Sequence, residues 1–155
     1  MKLSVLTTLA VVLSVLTGTA AAQSSDPMVG TWKLNATKSK GALFTSGTSV
    51  IAAAEKGIKA TVDLTGTDGT PYHWEFTATY DGKDSPVTGS SPFGDSVALT
   101  RVDAHTVRIA VKQGGKPTIT QTMVVSDDGT TRTITTTGKD AKGQPINSTT
   151  VYEKQ

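Results

Sequence analysis

The sequence predicts an all-β chain folded as a single antiparallel up-and-down β-barrel of about 8–10 strands. Two observations carry the prediction. From Ser46 onward, short segments rich in threonine, valine and isoleucine alternate with glycine- and aspartate-containing turns at spacings of about ten residues. Within each segment apolar side chains occupy every second position, as on a strand with one face in a core and the other in water. Connections this short make consecutive strands neighbours. About ten strands left as an open sheet would expose long unpaired edges, which closure removes. A sandwich would need some longer crossovers, so the barrel is preferred.

In chain order, the first 22 residues are expected to be a secretory signal peptide: Lys2 is a short positive region, Leu3 to Leu16 an apolar run, and Ala20-Ala21-Ala22 a small-residue cleavage site. The run falls short of the roughly 20 apolar residues that cross a bilayer. No later stretch is apolar enough to span. Residues 23–155 are then expected to form one domain, secreted or periplasmic. With no cysteine in the chain, its stability must come from apolar burial and a closed hydrogen-bond network. The formal charge of +2 includes Lys2, and the basic residues are scattered singly rather than clustered with aromatics. Nucleic acid is not an expected partner.

The first strand is expected over 29–35, where Gly30 allows a close approach or kink and the Trp32/Leu34 alternation sends both side chains inward. Gly30 and Trp32 are the expected barrel-closing pair. Residues 36–45 form the one gap long enough for a helix or lid. Further strands are expected over 46–54, 57–65, 71–80, 84–88, 95–102, 106–112, 117–126, 130–138 and 144–153. Trp74, Phe76, Ala78 and Tyr80 share a face opposite His73, Glu75, Thr77 and Thr79. The same split puts Ile58, Ala60, Val62 and Leu64 inside, with Val107, Ile109 and Val111, and with Ile119, Gln121, Met123 and Val125. A weak internal echo relates the turns before Pro71 and Pro145, a reused hairpin rather than a repeat array.

With these strands in place, Gly30-Thr31-Trp32-Lys33-Leu34 resembles the G-x-W opening of the lipocalin and fatty-acid-binding-protein (calycin) superfamily, and Val151-Tyr152-Glu153-Lys154 resembles the last strand of fatty-acid-binding proteins. The resemblance extends to chain length and strand count, and points to a group of secreted bacterial lipocalin-like proteins. It implies an up-and-down barrel whose interior binds a small hydrophobic molecule. In fatty-acid-binding proteins an arginine two residues before the final tyrosine helps hold the carboxylate; here that position is Thr150. Neutral or hydroxylated ligands are therefore expected to compete at least as well as fatty acids.

No catalytic constellation is readable, so an enzyme is not expected. The two histidines, His73 and His105, sit apart, whereas a metal site needs three or four convergent ligands. No serine lies in a nucleophile elbow, and carboxylates such as Asp127-Asp128 fall in turns, where aspartate favours the geometry. No metal and no cofactor is expected. The expected ligand-binding residues are Trp74, Phe76, Tyr80, Leu99, Ile109, Gln121, Met123 and Tyr152, with Gln121 and Tyr152 as polar anchors. Inward polar groups, among them Arg101 or Arg132, need partners when buried. They are equally able to satisfy one another in a plain core, which leaves a ligand-free structural or interaction barrel as the alternative. A monomer is expected in either case.

Overall fold

The computed structural model describes residues 26–140 and 142–155; the expected signal peptide lies outside the described residues. Ten strands run in sequence: β1 Gly30–Lys40, β2 Phe44–Ala54, β3 Gly57–Gly66, β4 Pro71–Thr79, β5 Asp81–Gly89, β6 Ser96–Arg101, β7 Thr106–Gln113, β8 Lys116–Val125, β9 Thr131–Lys139 and β10 Pro145–Lys154. Each pairs antiparallel with its sequence neighbours, and β1 pairs with β10, closing the barrel. The β4–β5 ladder is the shortest, three residue pairs from Trp74–Gly89 to Phe76–Val87.

Neither a helix nor a lid occupies residues 36–45, the gap long enough for one: β1 continues to Lys40, and only three residues, 41–43, join it to β2. The chain stays a strand there by way of a bulge. Between Asn35 and Lys40 the register against β10 shifts, and the Ser39 hydroxyl stands in for a ladder acceptor, taking the Val151 amide at 3.0 Å while donating to the Asn35 carbonyl at 2.8 Å. Such a stretch has no period-two pattern to read. A similar register shift between Asp81 and Asp84 draws the expected turn at 81–83 into β5.

Aspartates shape the turns, as their spacing suggested. Asp68, Asp81, Asp103, Asp128 and Asp140 each accept the backbone N–H of the residue two further on, at 2.8–3.0 Å. The echoed hairpins before Pro71 and Pro145 share their main-chain bonds, Gly66 N to Thr70 O and Asp140 N to Gln144 O, although the aspartate sits two positions apart in them.

Alternation buries one face of most strands, with Ile58, Ala60, Val62 and Leu64 on β3, Val107, Ile109 and Val111 on β7, and Ile119, Met123 and Val125 on β8, whereas β5 buries no residue. One end of the barrel is closed by the segment leading into β1. Met28 and Trp32 are fully buried, and the Trp32 indole donates Nε1–H to the Met28 carbonyl at 3.0 Å. Gly30 between them has φ +147°, a region L side chains rarely adopt.

The same end is fastened by Asp26. Its carboxylate accepts the Tyr80 hydroxyl at 2.6 Å, the Met28 amide at 3.0 Å and Arg101 Nη2, while the Arg101 guanidinium lies 3.9 Å over the Tyr80 ring. Partial burial alone would raise the Asp26 pKa; the bonds from Tyr80, Arg101 and Met28 outweigh it and hold the carboxyl below the ordinary 3.8. A carboxylate held low stabilises the fold above its ordinary value and loses that contribution as pH falls through the lowered one. Asp26→Asn is therefore expected to cost about 1–3 kcal/mol at pH 7, the scale of hydrogen bonds to a charged group. In urea titrations the gap to the parent protein should close below about pH 4, near the ordinary aspartate value. A gap that persisted unchanged in acid would exclude the ionised form as the stabilising one.

Candidate functional site

The barrel interior is amphipathic. Apolar side chains line it from β2, β3 and β4: Ile51, Ala60, Val62, Leu64, Trp74 and Phe76. The opposing wall, from β8, β9 and β10, contributes Gln121, Arg132, Thr136, Thr150 and Tyr152 around Ile134, and Ser49 of β2 adds a hydroxyl. Ladder register accounts for this grouping. Gln121 lies opposite Thr136, which lies opposite Ser148, and Arg132 lies opposite Tyr152, so inward polar residues form a continuous belt across three adjacent strands. Gln121 Nε2 donates to the Thr136 hydroxyl at 3.2 Å.

Between these walls lies a cavity of about 60 Å³, room for a few waters. Leu43, Phe44 and Phe93 separate this cavity from an outer one of about 190 Å³ at the open end, lined by Tyr72, Pro92, Ile146, Asp68 and Asp140. Phe44 meets Tyr72 edge-on at 5.9 Å and Phe93 edge-on at 6.0 Å, with Trp74 beside them at 6.3 Å. The interior is thus capped by aromatic edges at one end and by Trp32 at the other.

Arg132 is the most unusual group in this interior. It is 1 % exposed, and its guanidinium is stacked between two rings, 5.0 Å from Trp32 and 4.5 Å from Tyr152. Its Nε and Nη1 have no hydrogen-bond acceptor, and neither does the buried Ser148 hydroxyl. Burial pulls the guanidinium down to about 10 and pushes the Tyr152 phenol up, so at neutral pH Arg132 is a cation and Tyr152 neutral.

Of the residues expected at the ligand, Trp74, Phe76, Gln121 and Tyr152 line the cavity. Leu99, Ile109 and Met123 are buried in the core beside it without reaching its surface. Tyr80 faces inward, but at the closed end, engaged with Asp26 and Arg101. Arg101 belongs to that cluster too, which leaves Arg132 as the interior cation. Thr150, which stands where fatty-acid-binding proteins carry an arginine, lines the cavity, and Arg132 of the adjacent strand lines it too. Sequence reading missed Ser49, Thr136 and Thr150, because threonine and serine also populate the outer faces; the signal was the phase set by Ile134, two residues from both Arg132 and Thr136.

Outside the barrel, His73 Nδ1 lies 2.6 Å from Asp63 Oδ1, and Ser90 is close by. The three residue types of a hydrolytic triad therefore adjoin, but the Ser90 hydroxyl is held by the main chain of His73, accepting its amide at 3.0 Å and donating to its carbonyl at 3.2 Å. Among the described residues no three acidic or histidine side chains converge as metal ligands would.

The fold and cavity define a class: a closed ten-stranded antiparallel barrel with a partly polar interior, an architecture compatible with the calycins. Compared with known families, curated proteins and solved structures, the chain matches no family model and has no significant match to a curated protein or a solved structure.

Proposed function

We propose that the protein is a secreted or periplasmic lipocalin-like barrel that binds a small hydrophobic or amphipathic molecule without transforming it. The observation that carries this reading is the division of the interior into an apolar wall from β2–β4 and a polar wall from β8–β10, the composition by which small-molecule sites orient a ligand. The outward faces support a barrel surrounded by water. They carry Lys59, Asp63, His73, Glu75 and Arg108, where a membrane barrel presents an apolar band. The ligand-free alternative draws support from the modest cavity volume and from the Gln121–Thr136 bond, by which two polar groups already satisfy each other.

Native mass spectrometry of the protein purified from its host is expected to reveal a co-purifying small molecule. As a second measurement, toluene should bind once per chain and perturb tryptophan emission, since Trp74 lines the cavity. Ala60 is buried in the cavity wall opposite Phe76, so Ala60→Leu should fill the space and abolish toluene binding at an overpacking cost of about 1–3 kcal/mol. An empty parent protein that also ignores toluene would favour the ligand-free barrel.

A further inference from the structure

We infer that the outer cavity at the open end of the barrel binds a compact organic ammonium ion, its apolar body on Phe44 and Phe93 and its charge at Asp68 and Asp140. The inference goes beyond the interior reading, since it concerns a second cavity and holds whether or not the inner one is filled. Space and walls come first. About 190 Å³ is open there, more than the roughly 150 Å³ that suffices for a benzene ring. The floor is apolar, with Phe44, Phe93 and Ile146 all buried, and the half-buried Tyr72 ring stands beside Phe44. Aromatic walls attract a cation as well as an apolar body, because the ring faces carry negative charge.

Charge comes from the two hairpins whose sequences echo each other. Each sends one aspartate to this mouth, Asp68 from the β3–β4 turn and Asp140 from the β9–β10 turn, and among the described residues these are the only charged side chains that line the cavity. Neither takes part in an ion pair among the described residues, and Lys142 acts on Asp68 from a distance without closing one. Turn geometry accounts for an acceptor at these positions but not for a charge. Asp68 accepts the Thr70 amide at 2.9 Å, and Asp140 accepts the Lys142 and Gln144 amides at 2.8 Å, bonds that an asparagine can equally accept. The bonds from Thr70 hold the Asp68 carboxyl below its ordinary 3.8, so it is anionic at neutral pH. An anion would be repelled by this rim. A hydrated metal ion, which seeks oxygen ligands, would gain nothing from the aromatic floor, whereas an ammonium on a small apolar body uses both.

The test uses three probes that share one ring and differ in charge: benzylammonium, benzyl alcohol and benzoate, titrated at pH 7 and low ionic strength by calorimetry and by NMR of the aromatic ring protons. Benzylammonium is expected to bind once per chain, at least tenfold more tightly than benzyl alcohol and with benzoate weakest, shifting the Phe44, Tyr72 and Phe93 signals. In the double variant Asp68→Asn, Asp140→Asn, which keeps the turn acceptors, that preference should fall below about threefold. Should the double variant not fold, salt decides on the parent protein: at about 1 M, where the screening length is roughly 3 Å, the preference should fall severalfold. Ala60→Leu, which fills the inner cavity, should leave benzylammonium binding unchanged. Benzyl alcohol or benzoate matching benzylammonium, a preference that survives the double variant or the salt, its loss in Ala60→Leu, or no binding of benzylammonium by the parent protein would overturn the cation site. Toluene in the inner cavity is read separately, through Trp74, so failure of the interior reading and failure of this site give different results.

Discussion

Trp32→Ala is expected to lower the unfolding free energy by roughly 3–5 kcal/mol, the cost of truncating a buried tryptophan. That is a large share of the 5–15 kcal/mol that holds a typical domain folded. Three losses coincide at this position. The fully buried ring leaves a cavity at the closed end, the Met28 carbonyl loses its indole donor, and Arg132 loses one of its two aromatic faces. The last makes the damage more than a packing defect, because a cation that already lacks acceptors is left with the Tyr152 ring alone. Urea unfolding would check it. A shift within about 0.5 kcal/mol, as for ordinary surface changes, would mean that Trp32 does not close the barrel.

Gly47→Ala should be nearly as damaging, although it adds one methyl group and removes nothing. Gly47 lies within β2 at φ +134°, and a Cβ there would stand 2.1 Å from the Asp63 carbonyl oxygen and 2.7 Å from the Leu64 Cα, both backbone atoms of β3. Neither can swing away as a side-chain tip would. Strained φ costs of order 1–3 kcal/mol and overpacking about 1–3 more, so a loss of several kcal/mol is expected. The measurement is again a denaturation midpoint, with Gly69→Ala as the reference, since an added Cβ there meets nothing within 4 Å. Equal losses at the two sites would show that φ alone, and not the approach of β3, sets the cost.

How much of this was legible depends on what period-two alternation can carry. It located ten strands, and the inward faces of those that bury every second side chain, such as β3, β7 and β9; β5, with no buried residue, offered no such face. Alternation says which way a side chain points but not how far along the barrel axis it sits. Tyr80 therefore read as a continuation of the Trp74/Phe76 stripe, although it lies at the closed end with Asp26 and Arg101. Position along the axis follows from register and closure, which are properties of strand pairs. The polar belt was hidden for a different reason: Thr136 and Thr150 are inward threonines in a chain whose outward faces are also threonine-rich. Of the aromatic cap, Phe44 is the first residue of β2, at a boundary a sequence leaves vague, and Phe93 lies in the β5–β6 connection, where no alternation marks it as inward.

The β1–β10 ladder also dictates an order of assembly. Nine of the ten ladders join strands adjacent in sequence and need only a hairpin each, which forms within microseconds; the tenth brings together residues as far apart as Trp32 and Lys154, 122 positions along the chain. Closing so long a loop carries its entropy cost before any contact rewards it, so the seam is the late event. Tyr152 stands on β10 at that seam and Arg132 opposite it on β9, and the cavity they line with β2–β4 exists only once the seam has zipped. An occupant recognising the finished cavity would add its binding free energy to that last step alone, acting as a latch on closure. A nascent chain stopped before β10 is correspondingly not a smaller barrel but an open nine-strand sheet with two bare edges, the form most prone to join another copy of itself.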